Sequence, residues 1–243
     1  MTRNILITGG SRGIGRASAI LCGARGWHVG INYRDNESAA TATASLVKEA
    51  GGQAVLLKGD VSDEQDVLAL FDAMENAFGP ISGLVNNAGI VAPLMPLAEM
   101  SVARLRHMFE VNILGAYLCA REAARRLADG GAIVNLSSIA AKLGSPNEFV
   151  DYAGSKGAMD SLTVGLAKEL APRRIRVNAV RPGLIETEIH ADSGWAERAR
   201  DLAAAMPLGR PGTAEEVAEA IVWLLDDGSS YVTGTLLDVA GGR

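Results

Sequence analysis

Asn4-Ile5-Leu6-Ile7 followed by Thr8-Gly9-Gly10-Ser11-Arg12-Gly13-Ile14-Gly15 reads as a short apolar run, a glycine-rich turn and the start of a helix. A buried strand that feeds a helix through glycines forms a phosphate-binding device. Glycine accepts positive φ and lets backbone N–H groups approach an anion closely. The helix start adds unpaired donors and the positive end of its dipole. The spacing is Gly-x-x-x-Gly-x-Gly (Gly9, Gly13, Gly15) rather than Gly-x-Gly-x-x-Gly. Taken alone, such a run also suits a tight strand–helix turn that binds nothing. A second signal lies far downstream, at Ser138 and at Tyr152-Ala-Gly-Ser-Lys156.

Working outward from that turn, β-branched runs alternate with helical stretches. Strands are expected at Asn4–Thr8, His28–Tyr33, Gln53–Lys58, Gly83–Asn86, Ala132–Ser137, Arg176–Arg181 and Thr235–Val239. Helices are expected near 14–25, 37–50, 64–78, 101–128, 153–171 and 214–226. Gly26, Gly51-Gly52, Gly79-Pro80 and Gly130-Gly131 punctuate helix ends. Asp63, and Thr213 before Glu215-Glu216, suit capped helix starts. This alternation predicts an α/β fold: one doubly wound parallel sheet over 1–243 with helices on both faces and ligands at the carboxyl ends of the strands. One stretch, 183–206, fits no regular element. A connection of that length is usually functional, so 187–206 is expected to move over the site. Trp195 within it reads equally as a helix anchor or a lid residue.

The bulk properties narrow the function. The 243 residues are 48% hydrophobic with a formal net charge of −5, which argues against nucleic acid or an anionic membrane as main partner. Cys22 and Cys119 lack any ligand or redox spacing and are expected as reduced, buried thiols. With no leader and no apolar run of membrane-spanning length, a soluble cytoplasmic protein is expected. His28, His107 and His190 stand at no ligand spacing, so no metal is expected. Arg121, Arg125 and Arg126 read as a solvated helix face or a subunit contact.

Tyr152 and Lys156 lie one helical turn apart and project from one face. A free tyrosine titrates near ~10, and a nearby ammonium favours the phenolate. Such a pair makes a general acid–base group, although the same spacing also occurs on ordinary helix surfaces. The whole set resembles the short-chain dehydrogenase/reductase family along essentially the full chain. The matching motifs are Thr8-Gly-x-x-x-Gly-x-Gly15, Asp60-Val61, Asn86-Asn-Ala-Gly89, Asn112, Ser138, Tyr152-x-x-x-Lys156 and Pro182-Gly183.

The resemblance implies a Rossmann fold and an oxidoreductase. Tyr152 would exchange a proton with a carbonyl or alcohol oxygen and Ser138 would hydrogen-bond that oxygen. Lys156 would lower the tyrosine pKa and hold the nicotinamide ribose, and Asn112 would anchor a water relay. Of the adjacent Ser137 and Ser138, the family's pattern makes the second catalytic. Cofactor contacts are implied for Gly9, Ser11, Arg12, Gly13, Ile14, Gly15, Arg34, Asp60, Val61, Asn87, Ala88, Gly89, Tyr152, Lys156, Pro182, Gly183, Ile185 and Thr187.

By the register the resemblance implies, the position of the acid that receives the ribose hydroxyls in NAD enzymes holds Tyr33, followed by Arg34. With Arg12, two guanidinium groups suit a 2′-phosphate, which favours NADP(H) over NAD(H). Asp35 is expected to point away. Similarity is greatest to 3-oxoacyl-carrier-protein reductases and to glucose/ribitol-type dehydrogenases. Leu127-Ala-Asp129 lacks the basic residues that would meet an acidic carrier, although Arg173 and Arg174 follow, so a free small-molecule substrate is expected. The rivals are a carrier-protein reductase, a non-catalytic NADP-binding sensor, and a nucleotide-sugar epimerase, which would need a further substrate domain. The family also implies a homotetramer built on the 101–128 helix, the helix after Tyr152 and the last strand.

Overall fold

The structure is a computed structural model that describes residues 2–243, the side chains of His190 and Ala191 excepted. Seven strands lie at Asn4–Ile7 (β1), His28–Tyr33 (β2), Gln53–Lys58 (β3), Gly83–Asn86 (β4), Ala132–Leu136 (β5), Arg176–Pro182 (β6) and Leu236–Val239 (β7). They form one sheet in the order β3-β2-β1-β4-β5-β6-β7. Every adjacent pair runs parallel. The main helices are Gly13–Ala24 (α1), Glu37–Glu49 (α2), Glu64–Phe78 (α3), Val102–Phe109 (α4), Ala116–Arg126 (α5), Val150–Leu170 (α7) and Ala214–Leu225 (α10). Short turns Ala140–Leu143 (α6), Ile189–Asp192 (α8) and Arg198–Asp201 (α9) complete the set.

Two apolar cores follow from this layering. Ile5, Ile7, Val29, Ile31 and Val134 pack against one helix layer, and Leu6, Leu84, Ile133 and Val177 against the other. Successive strand residues face opposite ways, so β1 feeds both cores, as a sheet covered on both faces requires. The helix starts are built as expected. Asp63 accepts from the amides of Gln65 and Asp66, and Thr213 with Glu216 forms a capping box. Cys22 and Cys119 are buried free thiols, and burial pushes both up to about 12.

The expected single helix over 101–128 is corrected. It is interrupted at Glu110–Gly115 by a π-type segment between α4 and α5. Gly115 there lies against Val61, whose Cγ2 would be 2.9 Å from an added Cβ. Wide turns of this kind recur at functional sites. The 183–206 stretch carries α8, α9 and a 3-10 turn at Ala203–Ala205 rather than being wholly irregular. Trp195 donates to Asp201 at 2.6 Å, which makes it an anchor for α9.

Strand order reverses at the β1/β4 pair, so the turns after these strands open a crevice. The glycine turn is tied into the sheet by Asn32, which is 2% exposed. Its Oδ1 accepts from Gly9 N at 3.1 Å, and its Nδ2 donates to the carbonyls of Leu57 and Gly59. Asn32→Leu removes all three bonds, and each buried group left unpaired costs about 1–3 kcal/mol. The urea midpoint is expected to fall accordingly. An unchanged midpoint would show that the glycines hold the turn without help.

Candidate active site

Two adjoining grooves occupy the carboxyl ends of the strands. One is walled by Gly9, Ser11, Arg12, Gly13 and Ile14 of the first turn, Tyr33, Arg34 and Asp35 after β2, Asp60 and Val61 after β3, and Asn87, Ala88 and Gly89 after β4. The other contains Ser138, Tyr152, Lys156, Pro182, Gly183 and Ile185, and shares Ile14, Asn87, Gly89 and Thr187 with the first. Nearly all the residues singled out in the sequence therefore meet along one continuous surface. Two do not line it. Gly15 packs beneath the turn, where a Cβ would stand 2.4 Å from Gly9 O. Asn112 is buried at 1% exposure. Its Oδ1 accepts from Ile90 N at 2.8 Å, and its Nδ2 donates to Ile90 O and to Ser155 Oγ. Asn112 thus pins the segment after Gly89 to α7 at Ser155, the residue before Lys156.

At the bottom of the second groove the Ser138 hydroxyl, which accepts from Ala140 N at 3.1 Å, stands beside the Tyr152 phenol, close enough to lower its pKa. Ser137 turns instead toward the backbone of α7, donating to Lys156 O at 3.1 Å. Lys156 Nζ lies 5.6 Å from the Tyr152 ring centroid and donates to Leu136 O at 2.7 Å. The expected lowering of the tyrosine pKa is not what this geometry gives. Burial pushes Tyr152 up to about 12, against a lowering by Ser138. Burial likewise pulls Lys156 down to about 8, opposed by the charge of Asp160. Desolvation outweighs the opposing Ser138 and Asp160 interactions because Lys156 is buried and Tyr152 half-buried at the floor of the groove.

The expectation that Asp35 points away is also corrected. Arg34 Nε donates to Asp35 at 2.6 Å, and Asp60 lies 3.7 Å from the same guanidinium. Neighbouring opposite charges on exposed chain fold toward each other when no stronger partner competes. Arg12 reaches Asp192 of α8 at 2.8 Å. Arg121 and Arg126 spend their charge on Glu64, Asp72 and Glu75, and Arg125 on Glu122.

A dinucleotide suits the first groove on local geometry. Gly9 and Gly13 adopt φ of +61 and +51, which side chains rarely adopt. A Cβ on Gly89 would stand 3.3 Å from Asn112 Oδ1 and 3.6 Å from Lys156 Nζ, so the floor before Lys156 is left clear. Among the described residues no cluster of three or more His, Cys, Asp or Glu could hold a metal. None of the described helices is long and apolar enough to cross a membrane.

Comparison with known proteins agrees with this geometry. A family model described as enoyl-(acyl carrier protein) reductase matches residues 9–243. The oxidoreductase YgfF of Escherichia coli K12 is 49% identical, over 98% of both chains. A 3beta-hydroxysteroid dehydrogenase of Eggerthella lenta is 41% identical over 99% of this chain and 93% of its own. A solved short-chain dehydrogenase/reductase variant of Serratia marcescens superposes with a TM-score of 0.93 at 34% identity, over 99% of this chain and 97% of the other.

Several residues that shape the site escaped the sequence reading. Asp151, with a fully buried side chain, accepts from Arg104 Nε at 2.8 Å and from Tyr152 N at 2.9 Å. Arg104 also donates to Pro93 O, so one side chain joins α4, the loop after Gly89 and the start of α7. Arg104→Met would leave Asp151 buried without its cation, at a cost of about 3–5 kcal/mol. Urea unfolding is expected to show that loss, and Arg104→Met with Asp151→Leu is expected to recover most of it. A single variant as stable as wild type would mean that the carboxylate finds another donor.

Proposed function

The chain belongs to the short-chain dehydrogenase/reductase family, and from that premise we propose that it transfers hydride between NADP(H) and a small-molecule carbonyl or alcohol, with Tyr152 as the acid–base. That it is an oxidoreductase acting on alcohol or carbonyl groups follows from the family. The observation that carries the finer reading is the Ser138–Tyr152 hydroxyl pair at the base of the groove, with the Lys156 ammonium beside it.

A nicotinamide dinucleotide held in the first groove by the glycine turn and Asn87 would supply the hydride in reduction and accept it in oxidation. The chain's part is to hold the oxygen and move its proton. Ser138 donates to the carbonyl oxygen and orients it. Tyr152, kept protonated at neutral pH by burial, gives its phenolic proton as that oxygen gains charge. In the reverse direction the phenolate takes the alcohol proton. Lys156, still cationic at neutral pH with its pKa drawn down to about 8, favours the phenolate whenever it forms. Asn112 and Ser155 brace the helix turn that presents both side chains, since Ser155 Oγ donates to Tyr152 O at 2.7 Å.

The coenzyme reading rests on the groove wall at Tyr33. No carboxylate occupies that position, and Arg34 and Arg12 flank it. Both guanidinium groups now hold exposed carboxylates, pairs worth about 0–1 kcal/mol. A 2′-phosphate offers stronger charge-assisted bonds to the same donors. A carrier-protein substrate finds less support, because Arg173 is spent on Asp129 and on the carbonyls of Ala124 and Leu127. The exposed apolar side chains of Val102, Phe109, Leu114 and Tyr117 support a homotetramer in which a second copy covers α4 and α5. Two buried free thiols support residence in the reducing cytoplasm.

Tyr152→Phe is expected to lower kcat by about 10²–10⁴ while NADPH affinity stays unchanged. Steady-state rates over a panel of ketones, sugars, diketones and acyl thioesters provide the measurement. A Phe variant within a few-fold of wild type on a good substrate would remove Tyr152 from the chemistry. For the coenzyme, Arg34→Ala is expected to weaken NADPH by about ten- to a hundred-fold and to leave NADH nearly unchanged. A wild-type enzyme that prefers NADH in side-by-side kcat/KM values overturns the NADP reading.

A further inference from the structure

The substrate end of the second groove has a charge pattern at odds with the rest of the chain. Its 28 acidic residues outnumber its 23 basic ones, yet among the described side chains lining this groove none is an Asp or Glu. The charged side chains there are Lys156, Arg198 and Arg243. Lys156 stands beside the reacting hydroxyls. The remainder of the wall beyond Ser138 is largely apolar, with Val91, Leu143, Phe149 and Leu184.

Arg198 is held rather than free to wave. Its side chain is 8% exposed, and its guanidinium carbon lies 5.1 Å from the ring centroids of both Phe149 and Trp195. Glu148, one-third exposed, accepts from Nη2 at 2.5 Å and from Nη1 at 3.4 Å. A guanidinium carries five N–H donors in a planar fork, so Glu148 fixes its plane without using all of its donor capacity. Phe149 is the spacer between this charge and the chemistry, since its ring lies 6.5 Å from that of Tyr152. A carbonyl hydrogen-bonded to Tyr152 and an anion on Arg198 would thus be separated by about one apolar ring.

We propose that Arg198 is the specificity-determining residue of this site and that the substrate is a carbonyl or hydroxy compound whose apolar body carries a carboxylate. The proposal rests on the oxidoreductase reading above and adds to it the chemistry of the substrate's far end. Glu148 orients Arg198 and, as an anion on the same fork, competes with the incoming carboxylate. Arg is suited to this task because its fork matches a carboxylate bidentately.

The test uses two pairs of ketones that differ only in that charge: 4-acetylbenzoate with its methyl ester, and 4-oxopentanoate with its methyl ester. Wild type is expected to favour the acid of at least one pair in kcat/KM by about 10- to 100-fold, the range of one charge-assisted bond. Arg198→Met is expected to abolish that preference through KM, with the acid losing about ten-fold more kcat/KM than its ester, and Arg198→Lys to retain part of it. Glu148→Gln is expected to raise the preference for the acid, a gain that a purely structural ion pair would not give. Turnover of the esters without any acid preference in wild type overturns the proposal and leaves the oxidoreductase reading standing. Equal losses on acid and ester in Arg198→Met also overturn it, because they assign Arg198 to folding of α9. Absence of NADPH- or NADH-dependent turnover on both pairs and on the wider carbonyl panel overturns the oxidoreductase reading itself, and the proposal with it.

Discussion

The site depends on one interlock between two turns. Thr8 Oγ1, at the end of β1, accepts from the amides of Asn87 and Ala88, both at 2.9 Å. In return Asn87 Nδ2 donates to the carbonyls of Thr8 and Gly9. These bonds join chain segments far apart in sequence, at the point where strand order reverses. They satisfy backbone groups that no ladder can reach once the strands have ended. They also bring the glycine turn over the turn after β4, so that the two grooves share Asn87 and Gly89 as a common edge. Asn87 is therefore structural through its amide nitrogen whatever its oxygen meets. The glycines matter for the same reason: a Cβ at Gly9 would press on Ala88 Cα and Asn87 Nδ2 at 3.1 Å.

From that edge inward, burial sets the electrostatics of the groove. Tyr152 is held in its neutral form and Lys156 is made easier to deprotonate. The sign of the stability term follows. Because the folded pKa of Lys156 is depressed, its contribution is fully present above about 10.5 and is lost as pH falls through about 8. At neutral pH the fold therefore carries a charged lysine at some expense. The Leu136 carbonyl, which accepts from Nζ at 2.7 Å, offsets part of the cost.

The architecture was legible because its signals are local. Apolar runs of strand length and glycines at helix ends placed all seven strands to within one residue at each end, and β2, β3 and β4 at their observed bounds. The Tyr152–Lys156 spacing and the glycine turn marked the two halves of the surface before any contact was known. The π-type segment was not legible, because 101–128 reads as one continuous amphipathic pattern. What widens the turn is the close approach of Gly115 to Val61 and the grip of Asn112 on Ile90, both tertiary. Asn32, the Arg104–Asp151 pair and the Arg198–Glu148 pair were missed for the same reason. Each couples residues tens of positions apart, and a lone Asn, Arg or Glu carries no pattern that names its partner. Asp35 was misplaced because its direction depends on Arg34, not on the strand's alternation.

The two grooves are also coupled through charge. Arg12 stands inside the glycine turn, yet its guanidinium is bonded to Asp192 of α8, in the segment that borders the substrate end. The pair is about half exposed on both sides, and pairs of that kind contribute little to stability. What it does set is a competition, since a donor committed to Asp192 is not fully available to an anion in the first groove, and the reverse. A similar competition operates at Arg34 with Asp35 and Asp60, and at Arg198 with Glu148. At each of these three arginines a carboxylate of the chain holds the guanidinium in place. An incoming anion must therefore offer better geometry than the carboxylate it displaces, which turns simple attraction into discrimination.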